Sequence, residues 1–326
     1  MIKKFTRFRS VWIKCFGLWL LKETDSEKAK FQVKDIKEEL NSHEDLKAYF
    51  AKLMSKKMDY TKPLWEIHVK ENYKDDTSVV FCVVHHLITD GMGMVSLITL
   101  LNYNHSADII TNYRKISLFF RYIYPLLWLP MGIFKYILLS FEWKRDSKIY
   151  PLMCSNNTQS NRKTFHETKQ YHFDKLKKCY TKFDRMKLND MLVGVISISV
   201  HSYLTELGLK DLSHMSITTP INMKSQAKDL DSVKLANDWA PCCMNVPLRP
   251  DIRYVMKKNR ETYDVALTLS AVTCGALIVT ALGLLPDGIS RTCMSGNYKG
   301  FNGVISNTPG PINPIYICDR QVLEMG

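Results

Sequence analysis

The sequence predicts a chain that mixes strands and helices on either side of a domain boundary, and three observations carry the prediction. Short runs with alternating apolar residues, Trp65-Glu66-Ile67-His68-Val69 and Ser78 to Val84, read as strands. Longer stretches place apolar residues at helical spacing. Over residues 35 to 58 these are Leu40, Leu46, Tyr49, Phe50 and Leu53 amid Lys and Glu; further on they are Leu192, Val195, Ile196, Val200, Tyr203, Leu204 and Leu207. Between them the polar stretch Lys144 to Gln170, which includes Ser155-Asn156-Asn157-Thr158-Gln159-Ser160-Asn161, has the composition of a surface linker and marks a domain boundary.

With 326 residues, 46% of them hydrophobic and 24% charged, the chain has the material for real cores and is not of the disordered class. Its 45 basic and 32 acidic residues give a net charge of +13, which favours anionic partners: cofactor phosphates or acidic lipid headgroups. Nucleic acid is not an expected partner, because no helix-turn-helix, zinc-finger or RNP pattern organises the scattered lysines. The nine cysteines form no Cys-x-x-Cys pair, and a disulfide between the adjacent Cys242 and Cys243 would be strained. Free, mostly buried thiols in a reducing compartment are expected, with no structural metal site.

The N-terminus, Met1 to Ser10, is basic and is followed by Cys15-Phe16-Gly17-Leu18-Trp19-Leu20-Leu21. Lys14 splits the apolar segment and no small-residue cleavage site follows it, so a short strand is expected rather than a targeting sequence. Two later segments bear on membranes. Ile116 to Phe141 is rich in aromatic residues, but its uncharged stretch Tyr122 to Phe134 is too short to span a bilayer and contains Pro125 and Pro130. It reads equally as an interfacial segment flanked by snorkelling Arg121 and Lys135, or as a bent helix packed under a domain. Val265 to Pro286 is uncharged and long enough to span, yet rich in Ala, Thr, Ser and Gly; a buried helix is expected, with a transmembrane helix as the alternative.

The motif that carries chemistry is His85-His86-Leu87-Ile88-Thr89-Asp90-Gly91, directly behind the strand that ends at Val84. Alternation along that strand puts His85 and His86 on opposite faces, so they do not share one metal ion. His86 and Asp90 could meet across the turn, and Gly91 would permit a backbone conformation or close approach that a Cβ forbids. Taken alone, the pair reads as one core histidine and one turn histidine. Upstream, Pro63-Leu64-Trp65-Glu66 opens a strand with Trp65 in the core and Glu66 at the surface. Downstream, Lys187-Leu188-Asn189-Asp190 opens a helix with Asn189 or Asp190 as its N-cap and Gly208 at C′. Ser306-Asn307-Thr308-Pro309-Gly310-Pro311 is a rigid turn, and Asn245-Val246-Pro247-Leu248 a weaker pattern of that kind.

As a set these elements follow the order and spacing of one family. The chain resembles the wax ester synthase/diacylglycerol acyltransferases, wax-synthase-like members of the HHxxxDG superfamily of CoA-dependent acyltransferases. Phe5-Thr6-Arg7-Phe8-Arg9-Ser10 looks like that family's early Arg-Phe-containing strand. The resemblance covers nearly the whole chain. The family normally begins earlier and continues well past the Gly310-Pro311 turn, which implies a shortened C-terminal domain here.

The resemblance implies two α/β domains of the chloramphenicol-acetyltransferase type, with mixed sheets flanked by helices. Residues 1–150 would form the domain carrying the histidine motif, 151–170 the linker, and 171–326 an incomplete C-terminal domain. It implies that His86 is the general base for a long-chain alcohol or diacylglycerol hydroxyl, with acyl-CoA as substrate and no further cofactor. Supporting roles fall to His85, Asp90, Gly91, Asn189 and Asp190. Pro63, Leu64, Trp65, Glu66, Ser306, Asn307, Gly310 and Pro311 complete the structural motifs. The expected setting is a membrane surface, at the endoplasmic reticulum or plasma membrane, with the site on the cytosolic side. The alternatives are an acyltransferase of this superfamily for another acceptor, or an inactive paralogue that binds lipid or a partner.

Overall fold

The computed structural model describes residues 3–25, 32–101, 163–210, 212–224, 227–266, 269–298, 301–311, 313–317 and 320–325, with single positions at 119, 123, 127, 130 and 131. The aromatic segment 116–141 and the Asn-rich stretch 155–161 therefore lie almost wholly outside the described residues. Helices and mixed sheets alternate along the chain, as expected for an α/β protein.

Thr6–Arg9 form a short 3-10 helix, so the Arg-Phe segment expected to be a strand only leads into one. Strands β1 (Ser10–Cys15) and β2 (Leu18–Glu23) follow as an antiparallel hairpin with Cys15 opposite Leu18. Its two turn residues, Phe16 and Gly17, have φ of 48° and 78°, the left-handed pair that a two-residue type I′ turn requires. The Gly17 carbonyl accepts a hydrogen bond from the Asp287 amide, which ties the hairpin tip to the C-terminal part of the chain.

Next comes a three-stranded sheet of β3 (Val33–Asp35), β4 (Trp65–Lys70) and β5 (Val79–Val84), in which β4 runs parallel to β3 and antiparallel to β5. The helix expected over 35–58 is shorter: α1 spans His43–Ser55. Ser42 and Asp45 form a capping box there, the Asp45 amide donating to Ser42 Oγ and the Ser42 amide to Asp45 Oδ2. Leu40 fits the helical period only by coincidence; it packs with Ile36, Tyr49 and Leu53 from the segment between β3 and α1. Helix α2 (Gly91–Leu100) leaves the histidine motif.

The second half begins with α3 (Phe173–Tyr180) and α4 (Leu188–Glu206). Gly208, at φ 80°, occupies the left-handed C′ position beyond α4, as read from the sequence. Strand β6 (His214–Asn222) lies between antiparallel β7 (Trp239–Pro247) and parallel β8 (Gly303–Val304). Asn245-Val246-Pro247 thus belongs to a strand and not to a turn. Alternate β7 residues Cys242, Met244 and Val246 are buried against Val193 and Leu204 of α4 and Val255 and Tyr263 of α5 (Ile252–Ala266), while Ala240 packs with Met223 and Val272.

The uncharged stretch 265–286 is not one helix. It takes in the end of α5, then α6 (Leu269–Gly283) and a turn into α7 (Asp287–Tyr298). Val272 and Cys274 of α6 are buried and Leu284 is exposed. Among the described residues no helix is long and apolar enough to cross a membrane. Short β9 (Tyr316–Ile317) and β10 (Arg320–Gln321) pair antiparallel near the end. The described cysteines are free thiols, but Cys82, Cys179 and Cys293 are exposed, more open than composition suggested.

Candidate active site

Trp65 sets the floor of the site. It is 1% exposed, its ring meets Phe8 edge to face, and its Nε1–H donates to the Phe8 carbonyl at 2.7 Å. Pro63 and Leu64 are buried beside it, and Gln32 Nε2 donates to the carbonyls of Pro63 and Trp65. The Leu64 carbonyl in turn accepts the His85 amide, so Pro63-Leu64-Trp65 fixes where β5 hands over to the histidine loop. Arg7 grips that loop from below, Nη1 donating to Leu87 O at 2.9 Å and Ile88 O at 3.2 Å. Burial lowers the Arg7 pKa. Glu66 is less exposed than a surface residue would be. Partial burial raises its pKa, but hydrogen bonds from Lys34 and His68 outweigh this and hold it at about 2. His68 Nδ1 meets Tyr49 Oη at 2.9 Å, so the strand side chain is braced on α1.

The two histidines part, as strand alternation required. His85 is half-buried; its Nδ1 accepts from the Leu87 amide at 3.1 Å and its Nε2 lies 3.2 Å from Tyr60 Oη. Burial, and next the neighbouring His86, lower its pKa. His86 is exposed, and Asn237 holds it twice: His86 Nδ1 to Asn237 Oδ1 is 2.8 Å, and Asn237 Nδ2 to the His86 carbonyl is 2.6 Å.

Asp90 does not approach the His86 ring. Its carboxylate is occupied: Oδ1 accepts from the Gly93 amide, capping α2, and from Lys224 Nζ at 2.5 Å, while Oδ2 accepts from the Asp238 amide. Burial lowers the Lys224 pKa, against the opposing pull of Asp90. Gly91, where the sequence predicts that a Cβ is forbidden, has room for one, since it would stand 3.6 Å from Thr308 Oγ1. The crowded glycine is Gly93, whose Cβ would fall 2.0 Å from Thr89 Oγ1 and 2.8 Å from Lys224 Nζ.

Asn189 and Asp190 also separate. Lys187 is the N-cap of α4, and Asp190, at the third helical position, accepts the Lys187 amide at 2.8 Å. Its carboxylate is fully buried and pairs with Arg260 Nη1 at 3.3 Å. Burial raises the Asp190 pKa, although the Lys187 amide and Arg260 work the other way. Asn189 Oδ1 accepts from Asn307 Nδ2 at 2.6 Å. Asn307 lies in the exposed loop Ser306–Gly310, with Pro311 half-buried at its end. Because Thr308 of that loop lies beside Gly91, the Asn189 and histidine motifs are brought to one loop without bonding each other directly.

Sequence reasoning missed Asn237, Lys224 and Gly93. Asn237-Asp238 repeats the Asn-Asp pair at 189–190 just ahead of a strand, and that was the available signal. Nothing local marks Lys224 among the other lysines. Chemically, the assembly presents an exposed imidazole on a loop whose backbone is pinned from both halves of the chain.

Models of two sequence families match the chain: the wax ester synthase/diacylglycerol acyltransferase catalytic domain over residues 41–108, and the WS/DGAT C-terminal domain over residues 242–326. Wax ester synthase/diacylglycerol acyltransferase 3 of Arabidopsis thaliana is 22% identical over 322 residues, covering 86% of this chain; the match spans 65% of that protein's length. In three dimensions the chain is similar to the wax ester synthase/diacylglycerol acyltransferase from Marinobacter aquaeolei VT8. The TM-score is 0.56 at 16% identity, over 97% of this chain and 72% of that one. A starter condensation domain of rhizomide synthetase, solved with C8-CoA and Leu-SNAC, aligns with TM-score 0.53 at 11% identity over 98% and 70%. These likenesses bear out the acyltransferase-type α/β fold. Both matched regions are thus similar to one family, that of the wax ester synthase/diacylglycerol acyltransferases.

Proposed function

We propose that the chain is an acyl-CoA-dependent O-acyltransferase that esterifies a long-chain alcohol or diacylglycerol, giving wax ester or triacylglycerol, with His86 as general base. The observation that carries the reading is the setting of His86, which is exposed to an incoming hydroxyl yet held by Asn237 from a distant part of the chain. A positioned base contributes roughly 10²–10⁴-fold, so other groups must stabilise the oxyanion. Asn189 is our candidate for positioning at that edge of the site. Asp90 and His85 hold the backbone of the histidine loop, and Asp190 holds that at the start of α4.

The partners in this reading are acyl-CoA, a lipid alcohol and an anionic membrane surface at the endoplasmic reticulum or plasma membrane, with the site on the cytosolic side. The net charge of +13 supports it. So do Phe119, Ile123, Leu127 and Met131, spaced four apart and all exposed, which favours the interfacial reading of their segment over a packed bent helix.

The test is expression in a host without neutral-lipid synthesis, fed a fatty alcohol and labelled acyl-CoA, beside a His86→Ala control. Wax ester or triacylglycerol that depends on His86 supports the reading. Absence of both products from the expressed, folded protein would overturn it for these substrates.

A further inference from the structure

Asn237 does more than sit near His86, because the two contacts between them constrain each other. The His86 carbonyl oxygen can only accept. At 2.6 Å from the Asn237 amide it must face Nδ2, since Oδ1 there would set two acceptors against each other. That orients the amide, and Oδ1 is then the atom 2.8 Å from His86 Nδ1. An amide oxygen can only accept as well, so Nδ1 must carry the proton. In the neutral imidazole the lone pair is therefore on Nε2.

The Asn237 backbone is fixed on both sides. The Ala236 carbonyl accepts from the Asp90 amide and from Thr89 Oγ1, both at 3.4 Å, and the Asp238 amide donates to Asp90 Oδ2 at 3.0 Å. His85 supplies an internal contrast. Its Nδ1 accepts from the Leu87 amide, so its proton sits on Nε2, facing Tyr60. The adjacent histidines are held in opposite tautomers.

We propose that Asn237 is a positioning residue that locks His86 in the Nδ1-protonated tautomer and so directs its basic Nε2 to the acceptor hydroxyl. This rests on the reading of His86 as general base. In the step it serves, Nε2 takes the hydroxyl proton as the oxygen bonds to the thioester carbonyl carbon. When the tetrahedral adduct collapses, the C–S bond breaks and the Nε2 proton passes to the departing CoA sulfur. Throughout, Nδ1–H keeps donating to Asn237 Oδ1, which also steadies the imidazolium that forms in between.

The test is ¹⁵N NMR of the whole chain labelled at histidine, at a pH where imidazoles are neutral, with His85→Ala and His86→Ala used to assign signals. The expected spectrum shows His86 protonated at Nδ1 and bare at Nε2, and His85 the reverse. Asn237→Ala should shift His86 toward the Nε2-protonated form. It should also lower kcat by roughly 10²–10⁴-fold with little change in the KM for acyl-CoA. Asn237→Asp, which keeps an acceptor, should retain the Nδ1–H signal. A wild-type His86 protonated at Nε2 would overturn the proposal, and so would an Asn237→Ala spectrum identical to wild type. If Asn237→Ala does not fold, the wild-type spectrum decides alone. An Nδ1–H signal in a protein without acyltransfer activity would leave the tautomer lock standing and remove the acyltransferase reading.

Discussion

Lys224 Nζ lies 2.5 Å from Asp90 Oδ1, and both side chains are almost closed off from solvent, at 8% and 10% exposure. Lys224 follows β6 in the second half of the chain, while Asp90 caps α2 in the first. The ion pair is therefore a bond between halves at the root of the histidine loop. Removing one partner from such a pair leaves a buried charge, which costs about 3–5 kcal/mol. Lys224→Met is expected to lose stability of that order in urea unfolding. The double variant Lys224→Met/Asp90→Asn should recover part of it, because the uncompensated carboxylate is gone.

Gly93, not Gly91, is the position where a side chain cannot be added. Gly93→Ala drives a Cβ toward Thr89 and Lys224 and should cost about 1–3 kcal/mol by overpacking. Gly91→Ala meets only ordinary contact with Thr308 and should stay within about 1 kcal/mol of wild type. Paired thermal melts check both.

Trp65 holds the Phe8 carbonyl through Nε1–H in a buried setting. Trp65→Phe keeps an aromatic ring but orphans that carbonyl, at a cost of about 1–3 kcal/mol plus whatever the smaller ring leaves unfilled. The loss should appear as a lower urea midpoint with little change in slope.

Glu66 predicts an acid limb. Its folded-state pKa of about 2 lies below the ordinary 4.5, so its ionised form stabilises the fold fully above pH about 4.5. That contribution is lost as pH falls from about 4.5 through about 2. Lys34 and Lys56 are partly exposed, which screens the effect to about 1 kcal/mol or less. Glu66→Gln should flatten the stability profile in that window and leave it unchanged in shape near neutrality.

What the sequence made legible was local. Val79 to Val84 alternates as a strand does, and that alone separates His85 from His86. Trp65 in the core and Gly208 beyond α4 follow from residue chemistry alone. The errors have physical causes. The 35–58 stretch reads as one helix because Leu40 keeps the period, but Ser42 caps α1, and β3 before it pairs with a strand far along the chain. Asn189 and Asp190 both looked like caps. Asp190 instead accepts the Lys187 amide from within the helix and pairs with Arg260, 70 residues away. Asn237 is 151 residues from His86, and no local pattern announces a partner at that distance.

The most direct measurement is acyl transfer by the purified chain, with labelled long-chain acyl-CoA and a fatty alcohol or diacylglycerol presented in anionic vesicles. Wild type should release one CoA thiol per ester formed, and His86→Ala should cut kcat by roughly 10²–10⁴-fold without unfolding. A folded His86→Ala protein that turns over at the wild-type rate would contradict the assignment of His86 as the base.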